Sequence, residues 1–267
     1  MMALSIQKRA CSRACAPTLV LLHGWGYHAS AWPESWLQGL SRTYDLLLVD
    51  LPGHGDDGCD NREDAKLQKL DDWLLQLGNY LPAQYSLLGW SIGGQVAVRL
   101  AQQQAGRVTS LVAIASNLSF VQRHDWPHGM PPQVLQNFQT AFAQSANKTL
   151  QRFCALQAQG SLDSLAMTKL LRTQVHCRDS LGMGLDWLAQ LDLRADWQQL
   201  TCAKKLLLAE QDGLVPVAAL APIRCHSRAD KEVEMVTGSH AVAWQAAAAE
   251  RDWLLPTVTT FLEQSHV

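Results

Sequence analysis

The stretch Leu87-Leu88-Gly89-Trp90-Ser91-Ile92-Gly93-Gly94 runs from an apolar strand through a Gly-x-Ser-x-Gly turn into the helical pattern Gln95-Val96-Ala97-Val98-Arg99-Leu100-Ala101. A serine on so tight a strand-to-helix turn is held in a strained backbone conformation, and glycines two residues on either side let neighbouring segments approach without a Cβ clash. Its hydroxyl is pushed out over the end of the sheet. Unpaired N–H groups and the positive dipole end of the following helix lie beside it, so the turn predicts a nucleophile next to an anion-stabilising environment.

Thr18-Leu19-Val20-Leu21-Leu22, Tyr44 to Asp50, Tyr85 to Leu88 and Val108 to Ala115 are short continuous apolar runs, the pattern of strands buried on both faces of a parallel sheet. Helical spacing between them, from Ala31 to Leu40, Leu67 to Leu81 and from Gly93 onward, predicts right-handed crossovers, with functional loops gathered at the carboxyl ends of the strands. Asp56 to Asp64 reads as an exposed acidic loop. From Asn117 to about Gln190 the strand pattern gives way to leucine- and glutamine-rich helices at Val134 to Phe142, Leu150 to Ala158 and Leu165 to Val175. Strands return at Lys205 to Ala209 and Glu232 to Val236, before a closing helix from Trp253 to Leu262. The fold class expected is α/β: a mostly parallel central sheet flanked by helices, with core segments 1–116 and 191–267 and a helical cap, 117–190, inserted after the strand near 108–115.

A serine hydroxyl is a poor nucleophile at neutral pH and needs a base, plus a third group to fix that base's tautomer. Asp212 follows the strand Leu206 to Ala209, and His240 follows Glu232 to Val236, which gives the order serine, acid, histidine expected for this architecture. Asp192 and Asp196 are competing acids, but neither directly follows a strand. The backbone N–H groups of Ile92 and of Trp25, in the loop His23-Gly24-Trp25-Gly26, are the candidate oxyanion donors. His23 and His54 read as structural. His124, His128 and His176 lack metal-ligand spacing, and no Gly-x-Gly-x-x-Gly follows a strand, so neither a metal nor a cofactor is expected.

The 267 residues carry a formal net charge of −2, which disfavours nucleic acid or an anionic membrane as the main partner. Seven cysteines without Cys-x-x-Cys pairs point to free thiols and a cytoplasmic setting. Lys8, Arg9 and Arg13 precede the apolar run Ala14 to Leu22 in the manner of a weak secretory signal, but that run continues into the loop the fold requires. No stretch reaches the roughly 18 apolar residues of a membrane span. Between residues 148 and 178, five cations, Lys148, Arg152, Lys169, Arg172 and Arg178, face one acid, Asp163: either a solvated face or a docking surface for an acidic carrier.

From Leu19 onward the chain resembles the α/β-hydrolase superfamily and, within it, the biotin-pathway carboxylesterases. The similarity lies in Leu19-Val20-Leu21-Leu22-His23-Gly24-Trp25-Gly26, Val49-Asp50-Leu51-Pro52-Gly53, the Gly-Trp-Ser turn, Arg152-Phe153-Cys154-Ala155-Leu156-Gln157 and Asp212-Gly213-Leu214-Val215-Pro216. The resemblance implies a serine esterase that cleaves the methyl ester of a pimeloyl group on acyl carrier protein. It implies Ser91, Asp212 and His240 as triad, Trp25 and Ile92 as oxyanion and substrate contacts, and Phe153, Cys154, Ala155, Leu156 and Gln157 along the acyl channel. Lys148, Arg152, Lys169 and Arg172 would meet the carrier, and a monomer is expected. Val242 stands where a proline is common and Asp56 where a serine is common, departures that touch the pocket rim and substrate detail. The triad does not encode the acyl group, so a general short-chain esterase, a lactonase or a carbon–carbon bond hydrolase remain open alternatives, as does a non-catalytic ligand-binding module.

Overall fold

The computed structural model describes residues 4–54, 67–176, 179–249 and 252–265; the acidic stretch 56–64, with Asp56, and Arg178 lie outside them. Its frame is a seven-stranded sheet in the order β1-β3-β2-β4-β5-β6-β7. The strands are β1 (Ile6–Arg9), β2 (Thr18–Leu22), β3 (Asp45–Val49), β4 (Tyr85–Trp90), β5 (Val108–Ile114), β6 (Ala203–Ala209) and β7 (Val233–Val236). β1 pairs antiparallel with β3, and every other pairing is parallel. Leu19 to Leu22, Leu87 and Leu88 are fully buried, as expected for strands covered on both faces by helices.

Those helices are α1 (Glu34–Leu40), α2 (Leu67–Tyr80) and α3 (Ile92–Gln103), then α9 (Leu220–Cys225) between β6 and β7, and α10 (Val242–Ala247) and α11 (Leu255–Gln264) after β7. Between β5 and β6 lie α4 (Pro132–Gln144), α5 (Ala146–Ala158), α6 (Ser164–Gln174), α7 (Gly182–Gln190) and α8 (Arg194–Gln199). The predicted helix near 31–40 begins three residues later, because Pro33 takes the N-cap position. α7 to α10 were not anticipated. Three of them span only six residues, too short to display a period.

From β2 the chain moves outward to β3 and then returns to the other side of β2 to lay down β4. The direction of winding reverses between β2 and β4, and the loops leaving these two strands diverge there to open a crevice. One of those loops carries Trp25 and the other carries Ser91. Leu22 pairs with Gly89 in register, which brings the two loops level.

Candidate active site

Ser91 has φ 56° and ψ −124°, a left-handed conformation forced on a residue with a side chain. The turn closes tightly because Gly89 and Gly93 have no Cβ: one at Gly89 would lie 2.4 Å from the Gly93 oxygen, and one at Gly93 would lie 2.1 Å from the Leu22 oxygen. Hydrogen bonds to and from its backbone hold the strained turn. Ser91 N–H donates to the Ile114 oxygen (2.9 Å), and the Ser91 oxygen accepts from Ser116 Oγ (2.9 Å) and from the Gly94 N–H (3.0 Å).

The loops after β6 and β7 deliver Asp212 and His240 to this turn. His240 Nε2 accepts from the Ser91 hydroxyl at 2.9 Å, and Nδ1–H donates to Asp212 Oδ2 at 2.8 Å. The other carboxylate oxygen of Asp212 accepts the N–H groups of Leu214 (2.8 Å) and Val215 (2.9 Å), so the acid is fixed on both sides. His240 is fully buried. Its carbonyl oxygen accepts from Trp90 Nε1 at 2.9 Å, and the Trp90 indole packs against Trp244 with ring centroids 4.2 Å apart and planes tilted by 54°. A nucleophile, a base in one defined tautomer and an orienting carboxylate thus stand in line, an arrangement suited to acyl transfer.

Among the described residues, the N–H groups of Trp25 and Ile92 have no hydrogen-bond acceptor. Ile92 is the first residue of α3, where the helix leaves its N–H groups unpaired. The Trp25 indole donates to the Leu181 oxygen at 2.8 Å and meets Phe138, Phe142 and Phe153 edge-on with centroids 5.0–5.5 Å apart. Beyond Ser91 opens an almost wholly apolar cavity of about 260 Å³, walled by Trp25, Phe138, Phe153, Leu156, Leu188 and Leu214.

Of the α5 residues expected along the channel, Phe153 and Leu156 line this cavity, whereas Cys154, Ala155 and Gln157 do not. α5 turns about 100° per residue, which rolls Ala155 outward to solvent and Cys154 and Gln157 into the core. Burial pushes the Cys154 thiol up to about 11. Gln157 Oε1 accepts a hydrogen bond from the Tyr27 hydroxyl. The competing acids are engaged elsewhere: Asp196 meets Arg99 at 3.0 Å, and Asp192 meets Arg194 at 2.6 Å and Arg123 at 3.4 Å. His23 accepts the Leu51 N–H at Nε2 (3.0 Å) and donates from Nδ1 to the Gly24 oxygen (2.8 Å). Burial holds its pKa well below the usual histidine value, so the 3.8 Å approach of Asp50 is not an ion pair. The cavity walls from α4 and α7, Phe138 and Leu188 among them, were missed, since an apolar helix face reads as core whether it meets protein or an open slot.

The chain belongs to the alpha/beta hydrolase family, whose sequence profile matches residues 19–252. It is 39% identical over 208 residues to the pimeloyl-[acyl-carrier protein] methyl ester esterase of Nitrosomonas europaea, across 76% of this chain and 80% of that protein. It is 36% identical over 258 residues to the biotin biosynthesis bifunctional protein BioHC of Cellvibrio japonicus, across 94% of this chain. The chain spans about half (50%) of that bifunctional relative's length. Among solved structures, the bromoperoxidase from Bacillus anthracis superposes with a TM-score of 0.80 at 17% identity, covering 98% of this chain and 96% of that one, a likeness of fold.

Proposed function

We propose that this protein is a serine carboxylesterase that hydrolyses the methyl ester of pimeloyl-[acyl-carrier protein] methyl ester in biotin biosynthesis, releasing methanol. The observation that carries the chemistry is the Ser91–His240–Asp212 relay, with contacts of 2.9 and 2.8 Å beside an apolar slot. The choice of ester rests on the relatives named above. Ser91 Oγ attacks the ester carbonyl carbon while His240 Nε2 takes the hydroxyl proton, and Asp212 stabilises the imidazolium. The oxyanion that forms is held by the N–H groups of Trp25 and Ile92. His240 then gives its proton to the departing methoxide. A water, deprotonated by the same histidine, attacks the acyl-enzyme and frees the carboxylate and Ser91.

Helices α4 to α7 form a cap, segment 117–190, above the slot. Val134 on α4 and Leu156 on α5 line the cavity yet are 49% and 40% exposed, which marks its mouth. Arg152 lies one helical turn before Leu156, and Lys148 one turn before that; Lys169 and Arg172 share a face of the neighbouring α6. All four are exposed, and among the described residues none has an acidic partner. An acidic carrier docked there would feed its acyl chain past Leu156 toward Ser91, with the chain's methylenes against the apolar wall. The reading includes a monomeric, cytoplasmic enzyme; no described helix is long and apolar enough to cross a membrane.

The test compares the carrier-bound methyl ester with a p-nitrophenyl ester, for the native protein and for Ser91→Ala. We expect higher kcat/KM on the carrier-bound ester, stoichiometric labelling of Ser91 by an organophosphate, and loss of both activities in the variant. Turnover by Ser91→Ala would end the hydrolase reading. Preference for the free ester would end the carrier reading alone.

A further inference from the structure

Segment 157–161, from the C-terminal turn of α5 into the loop after it, touches both loops that carry the proposed base and acid. Ser161 Oγ lies 2.8 Å from Ser239 Oγ, and both residues are buried. On the other side of His240, the Ala241 N–H is shared between the Gln157 carbonyl oxygen (3.4 Å) and Ser239 Oγ (3.2 Å). The Gln157 side chain is held in turn by Tyr27, whose phenol burial keeps protonated and therefore able to donate. Gly160 has φ +88°, and a Cβ there would lie 2.6 Å from the Gln211 oxygen, so the turn after α5 rests directly on the residue before Asp212. Gln211 N–H donates to the Gly238 oxygen at 2.9 Å, joining the two loops.

We propose that Ser161, assisted by Gln157, is a positioning residue that keeps His240 in line with Ser91 by clasping the residues on either side of it. The proposal rests on the triad reading given above. Trp90 holds the His240 carbonyl from the sheet side, Asp212 holds the ring and Gln245 Oε1 accepts the Ser239 N–H at 3.1 Å. The contacts that segment 157–161 makes at 239 and 241 add a hold from α5 and the loop after it, and narrow the freedom that remains. A proton transfer over a 2.9 Å contact is sensitive to such freedom, since a displacement of about 1 Å costs on the order of 100-fold in rate. Neither Ser161 nor Gln157 is among the residues lining the cavity, so the clasp acts on the rate of the chemical step and leaves substrate binding alone.

The experiment measures kcat and KM on a p-nitrophenyl ester, and the rate of Ser91 labelling by an organophosphate, for Ser161→Ala, Ser161→Thr, Ser239→Ala and the Ser161→Ala/Ser239→Ala double variant. For Ser161→Ala we expect kcat to fall about tenfold with KM unchanged, and labelling to slow in parallel. Ser161→Thr, which keeps the hydroxyl, should restore most of the loss. The double variant should be no slower than Ser239→Ala, since the Ser161 hydroxyl acts through Ser239 Oγ. An unchanged kcat in Ser161→Ala, a change confined to KM, or additive losses in the double variant would each overturn the clasp. These outcomes are separable from failure of the triad reading, which only persistent activity in Ser91→Ala would show.

Discussion

The convergence of Ser91, Asp212 and His240 was legible because each lies in the loop at the carboxyl end of a strand, and a parallel sheet sends all such loops to one edge. What the sequence did not reveal is how individual α5 residues are aimed. Phe153 and Cys154 are adjacent in sequence, yet one faces the slot and the other the core. A helical run quoted as a block hides this phase when both faces are apolar. The bond from His240 Nδ1 to Asp212 fixes the tautomer that leaves Nε2 free to receive the serine proton. Asp212→Asn should therefore preserve the fold and KM while lowering kcat by roughly 10⁴-fold, because an amide favours the wrong tautomer. Steady-state kinetics beside a thermal melt check both halves of that expectation.

At the scale of elements, the strands were readable as unbroken apolar runs and the long helices as periodic ones. α8, α9 and α10 escaped because six residues complete fewer than two turns. α5 and α6 pack as a hairpin, with their exposed cations on the side away from the core. If these cations recruit an acidic carrier, Arg152→Glu with Arg172→Glu should lower kcat/KM for the carrier-bound ester by about tenfold at low ionic strength, and the deficit should shrink as salt rises. Turnover of a p-nitrophenyl ester should stay at the native rate. Stopped-flow or steady-state assays over a salt series read the difference, and equal loss on both esters would assign the two arginines to the fold rather than to docking.

For the molecule as a whole, the reversal of winding between β2 and β4 decides where chemistry can occur; α/β alternation in the sequence sufficed to gather the functional loops at the carboxyl ends of the strands, but not to locate the crevice. His23 sits at this junction, joining the loop after β2 to the loop after β3. Its ring is held neutral by burial, while in the unfolded chain it titrates near the ordinary value of 6.5. The unfolded state therefore takes up the proton first as pH falls below about 6.5, and native stability declines from there until the buried ring itself is protonated. Urea melts between pH 7.5 and 5 should show this loss. In His23→Gln the slope over that window should be shallower, although the variant is less stable at pH 7 because it forfeits the ring's fit.

α5 and the loop after it meet the solvent with Arg152, the slot with Phe153 and the neighbours of His240 with Gln157 and Ser161, all within ten residues. Such crowding means that specificity and turnover in this scaffold are not inherited separately. A chimaera that borrowed segment 117–190 from a distant hydrolase would import foreign neighbours for the imidazole along with the foreign pocket. Drift in the insertion is therefore constrained most tightly where its chain touches residues 239 and 241, and is freest on the outward face only one helical turn away.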